Sequence, residues 1–261
     1  MMNIFEYKKA KIFYTAMGKG PAVILLHGFL ENSTMWNDIG SELSKRYRVI
    51  SVDLLGHGHS ECLGYMHSME AMAAVVSALI RKLKIRKYRI VGHSMGGYVA
   101  LNLAQSETEK IKGLCLMNST SKADSYERKK LRVRAIKMAQ ENYKTLIQLS
   151  FTNLFSEASR IVYENELKAA LKKALKTPVQ GYIAAQEGMK QRLDCQAFLT
   201  AAPFQKLFII GEKDTVLEYQ DLKKEAQQTQ SDSAVLDQGH MSHIENKTEV
   251  IAVLTRFLKK C

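Results

Sequence analysis

The sequence predicts an α/β protein built on a mainly parallel sheet. Short apolar runs alternate regularly with helical stretches, as in chains made of crossover units. Several of those runs, such as "AVILLHG" and "KLFIIG", are continuously apolar, the pattern of strands buried on both faces. One run passes directly into a helix at "IVGHSMGGYVALNLA", residues 90–104, with one serine and three glycines at the junction.

In chain order, residues 3–8 and 11–16 interleave β-branched and aromatic residues around a Lys-rich turn and predict two strands. "GKGP" breaks the chain before the strand "AVILLHG". "STMWNDIGSELSKRY" reads as one short helix and "RVISVDL" as the next strand. "SMEAMAAVVSALIRKLKI" predicts a long helix with Ser68 placed to cap it. "YRIVGHS", "GGYVALNLAQS" and "IKGLCLMNS" follow as strand, helix and strand. The next clear strand, "KLFIIGEKD", begins near Lys206, about 87 residues beyond Asn118, where a crossover needs only about a dozen. That interval is helical in pattern, and so predicts an insertion over the C-terminal edge of the sheet, where open α/β folds bind ligands. A helix near Asp221–Gln228, the strand "SAVLD" and the helix "KTEVIAVLTRFLKK" complete the alternation.

Composition narrows the function. The 261 residues are 46% apolar, enough for a large core. No apolar run approaches the roughly 18 residues of a membrane helix, and "MMNIFEYKKAKIFY" has no secretory h-region. Cys62, Cys115, Cys195 and Cys261 lack metal or redox spacing and read as free thiols, so a cytoplasmic location is expected. The net charge of +12 is concentrated between Ser119 and Leu193, with 15 Lys and Arg against 7 Asp and Glu. Its densest piece, "RKKLRVRAIKMAQENYK", reads as a solvated amphipathic face, with an anionic ligand or membrane contact as the alternative. No nucleic-acid module is visible. A small-molecule substrate is expected, with no nucleic acid, no stable membrane insertion, no cofactor and no metal.

Gly92-His93-Ser94-Met95-Gly96 is a G-x-S-x-G pentapeptide between a predicted strand and a predicted helix. Such a turn projects its serine above the sheet edge, and the N–H of Met95 at the helix start faces an oxyanion forming beside it. A serine hydroxyl needs a base, and the base an orienting acid. His240 follows a strand in "LDQGHMSHIEN" and is the preferred base, with His243 its local rival. Asp214 closes "KLFIIGEKD", 26 residues before His240, and is the preferred acid over Asp53, Asp124 and Glu212. His93 reads as packing, His27 as a brace for its loop. His57 and His59 lack further ligands for a metal. In "LLHGFLENSTMW", Phe29 supplies the second oxyanion N–H, and Leu30 and Trp36 are candidate substrate contacts, with core packing the other role for Trp36.

These pieces resemble the α/β-hydrolase superfamily over nearly the whole chain: "HGF" at 27–29, "DLLGHGHS" at 53–60, "GHSMGG" at 92–97, "GEKD" at 211–214 and "GHMSHIEN" at 239–246. The resemblance implies an eight-stranded sheet in a core of residues 1–120 and 197–261, and a helical cap over 121–196. It also implies an acyl-enzyme mechanism with Ser94 as nucleophile, His240 as base, Asp214 as its orienter, and Phe29 and Met95 as oxyanion donors. Serine at the elbow argues against the dehalogenase and epoxide-hydrolase branches, which place aspartate there. The expected function is hydrolysis of a small to medium carboxylic ester. One alternative is C–C bond cleavage with the same triad. "LHGFLENSTMW" resembles a menaquinone-pathway lyase of this fold, but the arginine expected after "GHSMGG" is Tyr98. Another is a signalling receptor that binds a small molecule and hydrolyses it slowly.

Overall fold

A computed structural model describes residues 2–261 of the chain. Its strands are β1 (Met2–Tyr7), β2 (Ala10–Met17), β3 (Ala22–Leu26), β4 (Arg48–Val52), β5 (Tyr88–His93), β6 (Ile111–Met117), β7 (Gln205–Gly211) and β8 (Asp232–Leu236). They form one sheet in the order β1-β2-β4-β3-β5-β6-β7-β8. Pairing is parallel from β4 to β8 and antiparallel where β2 meets β1 and β4. From β3 the chain moves one way to β4, then crosses back to β5 on the other side. The C-terminal ends of β3 and β5 therefore border the crevice where α/β sheets bind ligands.

The sheet is covered on both faces. Helices α1 (Asn37–Leu43), α2 (Met69–Lys82), α3 (Met95–Ser106), α10 (Tyr219–Gln228) and, after the short α11 (Ser242–Glu245), α12 (Lys247–Lys260) alternate with the strands. One apolar layer packs α2 and α3 on Ile24, Leu26, Ile90 and Leu116; the other packs α1 and α12 on Val23, Leu25, Val91 and Ile209. Alternate residues of each strand serve opposite faces, which is why the strands read as unbroken apolar runs. Ser68 caps α2 by accepting the Ala71 N–H at 3.1 Å. The stretch expected as one short helix divides instead. Asn32 accepts the Thr34 N–H at 3.1 Å and tightens Ser33–Trp36 into a 3₁₀ turn ahead of α1.

Between β6 and β7 the chain forms α4 (Tyr126–Glu141), α5 (Tyr143–Thr152), α6 (Glu157–Val162), α7 (Glu164–Ala174), α8 (Val179–Gln191) and α9 (Gln196–Ala201). A third apolar cluster, including Ile147, Phe151, Phe155 and Tyr182, reaches down to Leu30 and Met241 on loops at the sheet edge. The docking is close: a Cβ on Gly181 of α8 would sit 2.2 Å from the Gly56 carbonyl oxygen. No helix of the described residues is long and apolar enough to cross a membrane.

Four histidines brace these loops in neutral form. His27 Nδ1–H donates to the Gly28 carbonyl at 2.7 Å while its Nε2 accepts the Leu54 N–H at 2.8 Å. His67 Nε2 accepts the Leu63 N–H at 3.0 Å, and the His67 N–H donates to Ala184 of α8 at 2.9 Å. Burial pushes His57 down to about 3 and His67 to about 4, and it also lowers His27 and His243. As pH falls below the ordinary histidine value of about 6.5, the unfolded chain takes up protons that the folded chain refuses. Each excess proton costs about 1.4 kcal/mol of stability per pH unit. The urea midpoint should therefore fall markedly between pH 7 and pH 5, and a flat or rising profile would contradict this account.

Candidate active site

Ser94 sits between β5 and α3 with φ +49°, ψ −116°, a left-handed conformation that costs energy in a non-glycine residue. Close packing holds it there. A Cβ on Gly92 would lie 2.4 Å from the Gly96 carbonyl oxygen, and one on Gly96 would lie 2.3 Å from that of Leu26. Around the turn, the Ser94 N–H donates to the Met117 carbonyl at 3.0 Å. The Ser94 carbonyl accepts the Gly97 N–H at 2.9 Å and the Ser119 hydroxyl at 2.8 Å.

The three predicted partners meet at this edge. Ser94 Oγ lies 3.0 Å from His240 Nε2, and His240 Nδ1–H faces Asp214 Oδ2 at 2.8 Å and Oδ1 at 3.0 Å. Asp214 stands three residues past β7 and His240 four past β8, both on loops at C-terminal strand ends. The Asp214 carboxylate also accepts the N–H groups of Val216 at 2.7 Å and Leu217 at 3.0 Å, and the Asn118 amide at 3.1 Å. Burial alone would raise its pKa, yet His240 and these donors hold it below the ordinary carboxylate range.

The competing residues lie elsewhere. Glu212 is exposed. Asp53 ties two loops together, accepting the N–H groups of Ser33 at 2.7 Å and His59 at 2.9 Å. Asp124 is buried against Arg132 and Arg192. His243 Nε2 faces Glu31 Oε1 at 3.1 Å rather than Ser94.

Glu31, which carries no motif, is the residue that sequence reasoning missed. Its Oε2 accepts the Gly28 N–H at 3.0 Å and His93 Nδ1–H at 2.7 Å, and its Oε1 pairs with His243. His93 Nε2–H in turn donates to the His240 carbonyl at 2.9 Å. His93 is therefore more than packing. Both its ring nitrogens face oxygen acceptors, so it carries both protons; although burial opposes this, Glu31 raises its pKa, and His93 and His243 in turn hold Glu31 well below the carboxylate range. One buried carboxylate thereby ties together the loop carrying Phe29, the serine turn and the histidine loop. The donor atoms of Glu31, His93 and His243 lie within 4.8 Å of one another, but Glu31 and His93 spend theirs on these bonds and offer a metal no free imidazole lone pair from His93. The signal available in the sequence was an acidic residue directly after "HGFL", at the loop past β3.

Above Ser94 and His240 lies a cavity of about 300 Å³, lined by Phe29, Leu30, Leu146 and Tyr182 among others, with Arg128 and Arg132 from α4. Phe29 packs on Tyr182 of α8, ring centroids 5.0 Å apart. Leu30 lines the cavity and Trp36 does not. Trp36 is fully buried in the layer with Val23, Leu25 and Leu43, because the 3₁₀ turn rotates it under α1 and away from the loop.

Residues 21–247 match the family described as alpha/beta hydrolase fold. An uncharacterized protein of Mycobacterium tuberculosis is 38% identical over 117 residues, which span 45% of this chain and only 33% of that protein. The 3-oxoadipate enol-lactonase 1 of Acinetobacter baylyi is 25% identical over 240 residues, 92% of this chain and 89% of that protein. Among solved structures, a thermophilic esterase from Thermogutta terrifontis, solved with malate bound, superposes with a TM-score of 0.93 at 27% identity, covering 100% of this chain and 98% of that one.

Proposed function

Because the chain belongs to the α/β-hydrolase family, we propose that it is a serine hydrolase cleaving small to medium carboxylic esters through an acyl-enzyme on Ser94. The observation that carries this reading is the unbroken line from Ser94 Oγ through His240 to Asp214, at 3.0 and 2.8 Å. The similarity to an enol-lactonase and an esterase, both acting on ester bonds, points the same way.

In this mechanism His240 Nε2 takes the Ser94 proton as Oγ attacks the ester carbonyl, and Asp214 stabilises the imidazolium. The oxyanion is held by the N–H groups of Phe29 and Met95. Met95 opens α3, where the first N–H groups have no intrahelical acceptor. The Gly28 N–H bond to Glu31 orients the peptide leading to Phe29. The proton on His240 then goes to the departing alcohol. Water attacks the acyl carbon with His240 as base, and free acid leaves. Residues 121–196 act as the cap that closes this site and selects the acyl group. The free thiols of all four cysteines fit a reducing compartment, the cytoplasm.

The test is a panel of aryl esters of increasing acyl length, with the intact protein weighed after rapid quenching. An acyl mass on a Ser94 peptide, prolonged in His240→Ala and absent from Ser94→Ala, supports the reading. Rapid turnover with no adduct on Ser94 in either His240 form removes its main support.

Glu31→Gln separates positioning from chemistry. Removing a buried charge opposite His93 should cost about 3 kcal/mol of stability. With the histidine and Phe29 loops no longer tied together, kcat should drop about tenfold or more, a 1 Å misplacement costing up to about 10²-fold. Urea melts and ester kinetics on the folded fraction check both; an unchanged kcat would reduce Glu31 to a purely structural role.

A further inference from the structure

Three guanidinium groups converge on one carboxylate beside the cavity, and two of them line it. The Asp124 side chain is wholly buried and pairs with Arg132 and Arg192, while Arg128 Nε stays 3.9 Å away. Arg192 is committed to the protein: it stacks on the Tyr98 ring at 3.9 Å and donates to the carbonyls of Lys122 at 3.1 Å and Met189 at 3.2 Å. Arg128 and Arg132 instead line the cavity. Arg132 Nη1 reaches Gln186 Oε1 at 2.9 Å, and Arg128 Nη2 the Val216 carbonyl at 2.9 Å. A single carboxylate neutralises one of the three cations. The other acids near the cavity are spent, Glu31 on Gly28, His93 and His243, and Asp214 on His240 and its backbone donors.

The Arg128 side chain is 31% exposed and partly solvated; the surplus positive charge that it and Arg132 bring to an otherwise apolar cavity draws in an anionic group. A structural role in tying α4 to α8 accounts for Arg132 and Arg192. It does not account for Arg128, whose Nε stays 3.9 Å from an Asp124 carboxylate already held by two closer guanidinium groups, and which borders the cavity. We infer that the acyl group of the substrate ends in a carboxylate, bound by Arg128 and Arg132, while its ester carbonyl lies at Ser94. Guanidinium groups suit this role because their planar N–H forks match the two carboxylate oxygens. The inference rests on the esterase reading and specifies its substrate class as half-esters of dicarboxylic acids.

The experiment compares monomethyl esters of four- to seven-carbon diacids with the methyl esters of the matching monoacids, by product acid released. In the wild type the best half-ester should exceed its neutral partner in kcat/KM by about tenfold or more. That ratio should fall about tenfold in Arg128→Gln, chiefly through KM, and less in Arg128→Lys, with circular dichroism confirming both variants folded. A wild-type ratio at or below one, with the neutral esters still hydrolysed, overturns this inference and leaves the esterase reading standing. So does an unchanged ratio in Arg128→Gln. If neither series is hydrolysed, the esterase reading fails, and titration of Ser94→Ala with the free diacids decides the site alone: binding lost when Arg128→Gln is added supports it, and no binding to Ser94→Ala overturns it.

Discussion

Replacing Ser94 by alanine should lower kcat by about 10⁴-fold or more while leaving the protein folded. The backbone at Ser94 is held by neighbours, not by its own hydroxyl. Its N–H bonds to Met117, its carbonyl takes Gly97 and Ser119, and Gly92 and Gly96 allow the close approach of β3 and α3. Alanine tolerates the same positive φ at a cost similar to serine. What disappears is the hydroxyl that His240 Nε2 faces at 3.0 Å. Circular dichroism and a urea melt close to wild type, together with lost turnover of an aryl ester, are the expected pair of results. A folded Ser94→Ala protein that keeps near wild-type esterase activity would end the covalent reading.

Asp214→Asn should have an effect of similar size, since loss of the orienting acid costs about 10⁴ in a serine-protease triad. The carboxylate accepts from His240 Nδ1–H, the N–H groups of Val216 and Leu217, and the Asn118 amide. Asparagine keeps one acceptor oxygen and adds two donors. Turned toward His240, its amide NH₂ favours the tautomer protonated on Nε2, which is unable to take the serine proton. Turned the other way, it presents hydrogens to Val216 and Leu217 and loosens the loop. Steady-state kinetics should show kcat depressed by about 10⁴ with KM changed far less. Glu212→Gln, on an exposed side chain, is the control: if it rather than Asp214→Asn abolished turnover, the acid would have to be reassigned.

Much of the fold was legible because its signals are local. Continuous apolar runs mark strands buried on both faces, Ser68 marks a helix start, and a G-x-S-x-G between strand and helix leaves few ways to turn the chain. The long helical interval after Asn118 was legible for the same reason, since a crossover needs so much less chain. The meeting of Ser94, Asp214 and His240 was legible because each follows a strand and so arrives at one sheet edge. Trp36 was not. Whether an aromatic ring enters a cavity or the core depends on the rotation of one short turn, here set by the Asn32 cap.

Sequence alone therefore determined the alternating elements, the sheet edge that carries the site, and Ser94, Asp214 and His240 as the residues that meet there. The tertiary structure decided the strand order, the placing of Trp36 in the core, the neutral burial of His27, His57 and His67, and the charge network behind the site. Glu31 and His93 stand 62 residues apart, His93 and the His240 carbonyl 147. Asp124 meets Arg192 across 68 residues. No periodicity or spacing encodes such pairs, because a buried charge is tolerated only where distant segments bring its partners. That requirement is met by packing in three dimensions, after the local elements have formed.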